Sequence, residues 1–214
     1  MKDKVTFLTD AKFDTNQLIL KIKDSSENLS REEKNTLNKI ISDFENNDFS
    51  LLTPQEINWM KKNDSILWSE YLVFRYNFKN LPKKMKLLNA PIHLLIEPVS
   101  ACNLRCIMCF QIDKTFSNNS NFMGMMKLDL FKKIIDDAVS CNIRELTMAS
   151  RGEPTLHPDL NKMLEYCKGK FLELKINSNA TKLSDDLIHS ILDNDVTSMV
   201  FSIDSYTKEN FERI

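Results

Sequence analysis

The sequence predicts an α/β fold with a helical N-terminal extension, and three observations lead there. Four short apolar runs read as strands, and the last three start roughly 27 residues apart, the length of one βα repeat. The segments between those runs carry apolar residues every three to four positions, the period of an amphipathic helix. Near Leu81-Pro82-Lys83-Lys84 the chain changes character, from a Lys/Asn/Ser-rich stretch with helix-capping signals to this repeating pattern.

The first 25 or so residues show no clear period. Ser30-Arg31-Glu32-Glu33 then forms a capping box, followed by Leu37, Ile40, Ile41 and Phe44 at i, i+3, i+4 and i+7. Thr53-Pro54-Gln55-Glu56 is a second box, with Pro54 in the first turn, where its missing N–H costs nothing. A third helix is expected from Asp64 to Phe78, its aromatic residues serving packing. Beyond the change of character, strand one is 91–97, bounded by prolines and expected to be buried on both faces. A helix follows at 128–139, then a strand at 144–148, a helix at 159–167 and a strand at 172–176. A helix capped by Ser184 and a strand at 198–203 complete the series. The expected division is a helical extension over 1–87 and an α/β core over 88–214.

Composition excludes several function classes. With 29 basic and 30 acidic side chains, the formal charge of −1 gives no general attraction to nucleic acid or anionic lipid. The first ten residues hold no long apolar run and no 18 apolar residues occur in succession, so neither a signal peptide nor a membrane span is expected. Five cysteines, three of them within eight positions, do not make a secreted disulfide framework. A reduced, cytoplasmic chain is expected.

The strongest chemical signal is Cys102-Asn103-Leu104-Arg105-Cys106-Ile107-Met108-Cys109, directly after strand one. Three thiolates at offsets of four and three can occupy three corners of a [4Fe–4S] cluster, leaving the fourth iron as an open Lewis-acidic position. Two other readings stand beside it. A structural zinc would need a fourth ligand from Cys141, Cys167 or His157. Cys106 and Cys109 alone could be a thioredoxin-like CxxC, although such a pair needs no third cysteine.

With this spacing in the loop after the first strand, the sequence resembles the radical S-adenosylmethionine (SAM) superfamily, over about residues 88–214. Three further segments carry the resemblance. Arg151-Gly152-Glu153-Pro154 after strand two is similar to the family's glycine–glutamate motif for the methionine amino group. Asn177-Ser178-Asn179-Ala180 after strand three resembles its polar turn toward ribose and carboxylate. Ser202-Ile203-Asp204 on strand four resembles its Ser-x-Asp. Four sites thus fall at the C-terminal ends of four successive parallel strands, the face where βα barrels build active sites.

The sequence also departs from the family pattern. Met108 stands where an aromatic residue is usual, Arg151 replaces the first glycine and is expected to meet a carboxylate or the substrate, and Ala180 replaces a glycine. The arrangement is most similar to the branch holding molybdenum-cofactor-synthesis and peptide-maturing enzymes.

The resemblance implies a partial radical SAM barrel with Cys102, Cys106 and Cys109 on the cluster. Met108, Gly152, Glu153, Asn177, Ser178, Asn179, Ser202 and Asp204 are then expected around SAM. It implies reductive cleavage of SAM to a 5′-deoxyadenosyl radical that takes hydrogen from a substrate the sequence does not identify. A flavodoxin- or ferredoxin-like electron donor is expected as a partner, and no catalytic side chain is assigned. Because the family's barrel has six strands or more, a chain with four is expected to be part of a longer enzyme.

Other residues read as structural. Cys141 and Cys167 are expected to pack, His157 to serve a turn, His93 to be a satisfied core histidine, and Glu97 to orient the cysteine loop. The alternative function is a non-catalytic zinc-binding or protein-interaction module.

Overall fold

The computed structural model describes residues 15–85, 87–149 and 151–214. The chain divides into two compact units, Met1–Asn89 and Ala90–Ile214.

The described part of the first unit is helical: α1 (Thr15–Asp24), α2 (Arg31–Glu45), α3 (Pro54–Lys62) and α4 (Trp68–Asn80). α1 lies in the stretch without a clear period and buries Leu18, Ile19 and Ile22; ten residues are too few for the pattern to repeat. Residues 1–14, where a leader peptide was not expected, lie outside the described residues. At α2 the capping box is present, with Glu33 N donating to Ser30 Oγ at 3.3 Å and Ser30 N to Glu33 Oε2 at 2.8 Å. The third expected helix starts late. Asp64 Oδ1 accepts from Ile66 N at 3.0 Å and closes a 3₁₀ turn at Ser65–Leu67 before α4 begins.

Trp59 stacks on fully buried Tyr71 at 3.7 Å between ring centroids, so the aromatic stretch serves packing. Glu56 is buried and accepts from Arg75 Nε at 2.8 Å, with Lys79 Nζ at 2.9 Å. Burial pushes its carboxyl up, and bonds from Thr53, Lys79 and Arg75 more than offset this, holding it below the ordinary carboxylate value.

The second unit runs β1 (His93–Ile96), α5 (Lys114–Ser117), α6 (Leu128–Ser140), β2 (Glu145–Met148), α7 (Leu160–Cys167), β3 (Glu173–Ser178), α8 (Asp185–Asp193), β4 (Ser198–Phe201) and α9 (Lys208–Phe211). The strands form a parallel sheet in the order β1-β2-β3-β4. This is α/β architecture with part of a barrel-like sheet, as the repeat length predicts. Register aligns Leu94, Leu146 and Leu174, and likewise Ile96, Met148 and Ile176. That apolar face meets Phe131 and Ile135 of α6, Met163 and Leu164 of α7, and Leu187 and Ile191 of α8.

Strand four is shorter than expected: β4 ends at Phe201, so Ser202 and Asp204 lie beyond the strand and not on it. The burial of strand one also needs correcting. β1 is not buried on both faces: Ile96 is buried, but Leu95 is 54% exposed. β1 is an edge of this sheet, and alternation turns Leu95 to the face away from the helices.

Candidate functional site

Because the strands are parallel, the loops that follow them meet along one edge, and hydrogen bonds join them. Glu97, at the end of β1, receives the guanidinium of Arg151 from beyond β2 in a two-pronged pair, Nε to Oε2 at 2.9 Å and Nη2 to Oε1 at 2.8 Å. The Arg151 backbone N–H adds a third bond at 2.9 Å, and Ser100 Oγ a fourth at 2.6 Å. Burial pushes the Glu97 carboxyl up, but the bonds from Arg151 and Ser100 hold it below the ordinary value. Of the two partners expected for Arg151, the structure shows a carboxylate. Glu97 is thereby tied to the start of the cysteine loop.

Gly152 sits against that same backbone. A Cβ there would lie 1.8 Å from Val99 O and 2.8 Å from Ala101 O, so only glycine lets the two loops approach this closely. The next residue continues the seam, with Glu153 N donating to Ala101 O at 2.8 Å.

The Glu153 carboxylate is buried, and both its oxygens accept hydrogen bonds. Its Oε1 accepts from Thr155 N at 3.1 Å, Thr155 Oγ1 at 2.6 Å and Ser178 Oγ at 2.7 Å, and its Oε2 from Asn179 N at 2.7 Å. Ser178, also buried, accepts in turn from Ala180 N at 3.0 Å. Glu153 therefore braces the end of β3 against the loop after β2. The turn continues through Ala180 in the left-handed region, at φ 65°.

From this turn Asn179 reaches the cysteine loop. Its Nδ2 lies 3.7 Å from Cys102 Sγ and 3.0 Å from Asn103 Oδ1, while Leu104 N donates to the same sulfur at 3.4 Å. Arg105 closes the loop from outside, donating to the carbonyls of Cys102 and Leu104 at 2.6 and 2.7 Å. Cys102, Cys106 and Cys109 are free thiols, each partly exposed. The Cys106 thiol is pushed up by burial and by the neighbouring Cys102, Asp204 and Cys109. Asp204 lies beyond β4, and Ser202 N is anchored on Ser178 O at 2.8 Å. Met108, Asn177, Ser202 and Asp204 are exposed.

Three soft thiol donors on one loop suit an iron–sulfur cluster. Among the described residues no three His, Cys, Asp or Glu side chains gather closely enough to hold a single metal ion.

Sequence reasoning missed Gln111. It is buried in a 3₁₀ turn just past Cys109, and its Nε2 donates to Ser100 O at 2.6 Å and Arg151 O at 2.8 Å. A polar residue after the third cysteine carries no signal, because its burial depends on two distant loops.

The residues set aside divide. Burial pushes the Cys167 thiol up to about 12, as befits a packing residue. Cys141 does not pack: it is exposed at the C-terminal cap of α6, past the helix's buried stripe. His157 is a buried turn residue, with Nε2 2.8 Å from Met126 O and Nδ1 accepting from Asp159 N at 3.1 Å. His93 is half-buried, with Nε2 3.0 Å from Thr147 Oγ1.

A parallel βα sheet with a three-cysteine loop after its first strand, laced to turns after the second and third, defines a βα protein built around a thiolate loop. Residues 96–214 match the Radical SAM superfamily, and the chain belongs to it. It is similar to the tungsten-containing aldehyde ferredoxin oxidoreductase cofactor-modifying protein of Pyrococcus furiosus, with 34% identity over 113 residues, 52% of this chain and 30% of that protein. Mycofactocin maturase MftC of Mycobacterium tuberculosis is 26% identical over 122 residues, 57% of this chain and 30% of the relative. The chain thus spans about a third of the length of these curated relatives. The crystal structure of Streptococcus suis SuiB bound to S-adenosylmethionine superposes with a TM-score of 0.45 at 19% identity, covering 94% of this chain and 44% of SuiB. Among the described residues, no helix is long and apolar enough to cross a membrane.

Proposed function

We propose that this chain carries the cluster-binding part of a radical SAM enzyme, with Cys102, Cys106 and Cys109 as the ligands of a [4Fe–4S] cluster. The observation that carries the reading is the thiolate loop seated on Gly152 and Glu153 and touched by Asn179, three loops converging on one set of soft donors. When bound, such a cluster supplies an electron for reductive cleavage of SAM, and the radical released takes hydrogen from the substrate.

The protein's part is to bind, orient and exclude water. Met108, Asn177, Ser202 and Asp204 are exposed at this edge and are the side chains offered to SAM. Gly152, Glu153, Ser178 and Asn179 act beneath them, holding the cysteine loop and the β3 turn at a fixed separation. The domain reading is likewise a proposal: the helical part over 1–87 as an extension and 88–214 as the catalytic core. The electron would come from a flavodoxin- or ferredoxin-like protein, in a cytoplasmic setting, and the substrate would be a peptide, a nucleotide-like molecule or a carbohydrate.

Anaerobic reconstitution of the five single Cys→Ala variants tests the reading. Changes at Cys102, Cys106 or Cys109 should abolish a stable [4Fe–4S] cluster, because one iron loses its only protein thiolate, while changes at Cys141 or Cys167 should not. Equal iron loss in all five, or a colourless wild-type protein holding zinc, would overturn it in favour of a zinc-binding module.

A further inference from the structure

We infer that Asn179 sets the reduction potential of the cluster by donating a hydrogen bond to Cys102 Sγ, a role separate from any contact with SAM. The inference rests on the proposed [4Fe–4S] site. Resemblance places Asn179 at ribose or carboxylate, but in the structure its side-chain amide is directed to the cysteine loop.

The direction of that amide is fixed by its neighbours. Asn179 Oδ1 accepts from Thr181 N at 3.0 Å and from Thr181 Oγ1 at 2.7 Å. A backbone N–H can only donate, so the atom facing it is the oxygen and Nδ2 is the atom facing the sulfur. Nδ2 has two hydrogens, one for Asn103 Oδ1 at 3.0 Å and one for Cys102 Sγ at 3.7 Å. Asn103 is itself oriented by its own amide, which donates to Thr181 Oγ1 at 2.7 Å. The Asn179 backbone is pinned by Glu153 Oε2. The donor is thus held from both ends before any cluster is bound. Among the described residues, no other side chain donates to the sulfur of Cys102, Cys106 or Cys109.

Taking up one electron makes the cluster and its thiolates more negative. A donor already aimed at a ligand sulfur stabilises that reduced form more than the oxidised one, which raises the potential and eases reduction. Leu104 N also donates to this sulfur, at 3.4 Å, but as a backbone group it persists in every side-chain variant and forms the baseline.

The full chain would be reconstituted anaerobically without SAM and titrated with dithionite, the one-electron donor, while the reduced cluster is followed by electron paramagnetic resonance. Asn179→Leu should shift the midpoint potential to more negative values with iron content unchanged. Thr181→Val removes two hydroxyl bonds from the same turn but keeps the amide and its backbone donor, so it should shift the potential less than Asn179→Leu does. An unmoved potential in Asn179→Leu, or an equal shift in Thr181→Val, overturns the inference while leaving the cluster assignment standing. A chain that assembles no [4Fe–4S] cluster overturns both. Should Asn179→Leu fail to hold its cluster, pulsed resonance on Asn103→Ala protein carrying ¹⁵N in its asparagine side-chain amides decides the matter. A nitrogen coupled to the reduced cluster supports the inference, and its absence ends it.

Discussion

At the N-terminal end of the parallel strands, Lys175 Nζ lies 2.7 Å from Glu145 Oε1 and also pairs with Glu173. At the C-terminal end of the same strands, Glu97 pairs with Arg151 from the loop after β2, and Glu153 takes bonds from Ser178 at the end of β3 and from Asn179 just beyond it. Both ends bury carboxylates, Glu145 and Glu173 at one and Glu153 at the other. The first end satisfies charge with charge, and among the described residues Glu145 Oε2 has no hydrogen-bond partner. At Glu153 the second satisfies charge with backbone N–H and hydroxyl donors, and so converts a carboxylate into a fastener between loops. One end is thereby a closed ion cluster suited to holding strands together. The other fixes loop geometry while leaving thiols and several polar side chains partly open.

The sharpest way to break the fastened end is Gly152→Ala. The added Cβ meets backbone atoms of Val99 and Ala101, which cannot rotate away as a side-chain tip would. Overpacking against backbone should cost about 3 kcal/mol in urea unfolding, and iron loading of the cysteine loop should fall with it. Lost stability with full iron loading would show that the loop does not lean on this seat.

The ion cluster is tested by Lys175→Met, which removes the cation shared by two buried carboxylates and should cost about 3 kcal/mol near neutral pH. The pH dependence carries the sign. In the native protein, burial lowers the Lys175 ammonium value, but its bonds to Glu145 and Glu173 raise it above the ordinary lysine value. Its stabilisation is thus complete below the unfolded lysine value and fades as pH rises through the folded one. The deficit caused by Lys175→Met should therefore shrink in alkali, where the wild-type lysine loses its charge. Denaturant midpoints of both proteins near neutral pH and in strongly alkaline buffer check this; a pH-independent deficit would mean that the lysine acts by packing alone.

The smallest effect expected is a gain. Ala180 occupies the left-handed region at φ 65°, where a Cβ is strained. Ala180→Gly relieves that strain against a greater unfolded-state entropy, for a net stabilisation of about 0.5–1 kcal/mol. A thermal unfolding scan showing lower stability would mean that the turn is held by its bonds to Ser178 and Glu153 with no strain to relieve.

The amino-acid sequence by itself determined which segments become helices and strands and where the thiols lie along the chain. Caps at Ser30 and Ser184, the i, i+3, i+4, i+7 stripe of α2 and the βα repeat are short-range signals, and the structure carries them. The cysteine spacing and the Gly152-Glu153 pair were legible for the same reason, since each is a local pattern. Which group each polar side chain meets was decided only by tertiary structure. Glu153 finds Ser178 and Asn179 some 25 residues on, Asn179 finds Cys102 77 residues back, and Gln111 is buried by Ser100 and Arg151. The exposure of Leu95 and Cys141 was settled in the same way, by the sheet edge and the helix end on which they fall. Periodicity and capping act within a few residues along one element. A hydrogen-bond partner or a buried position across loops exists only once parallel register has brought the strand ends together.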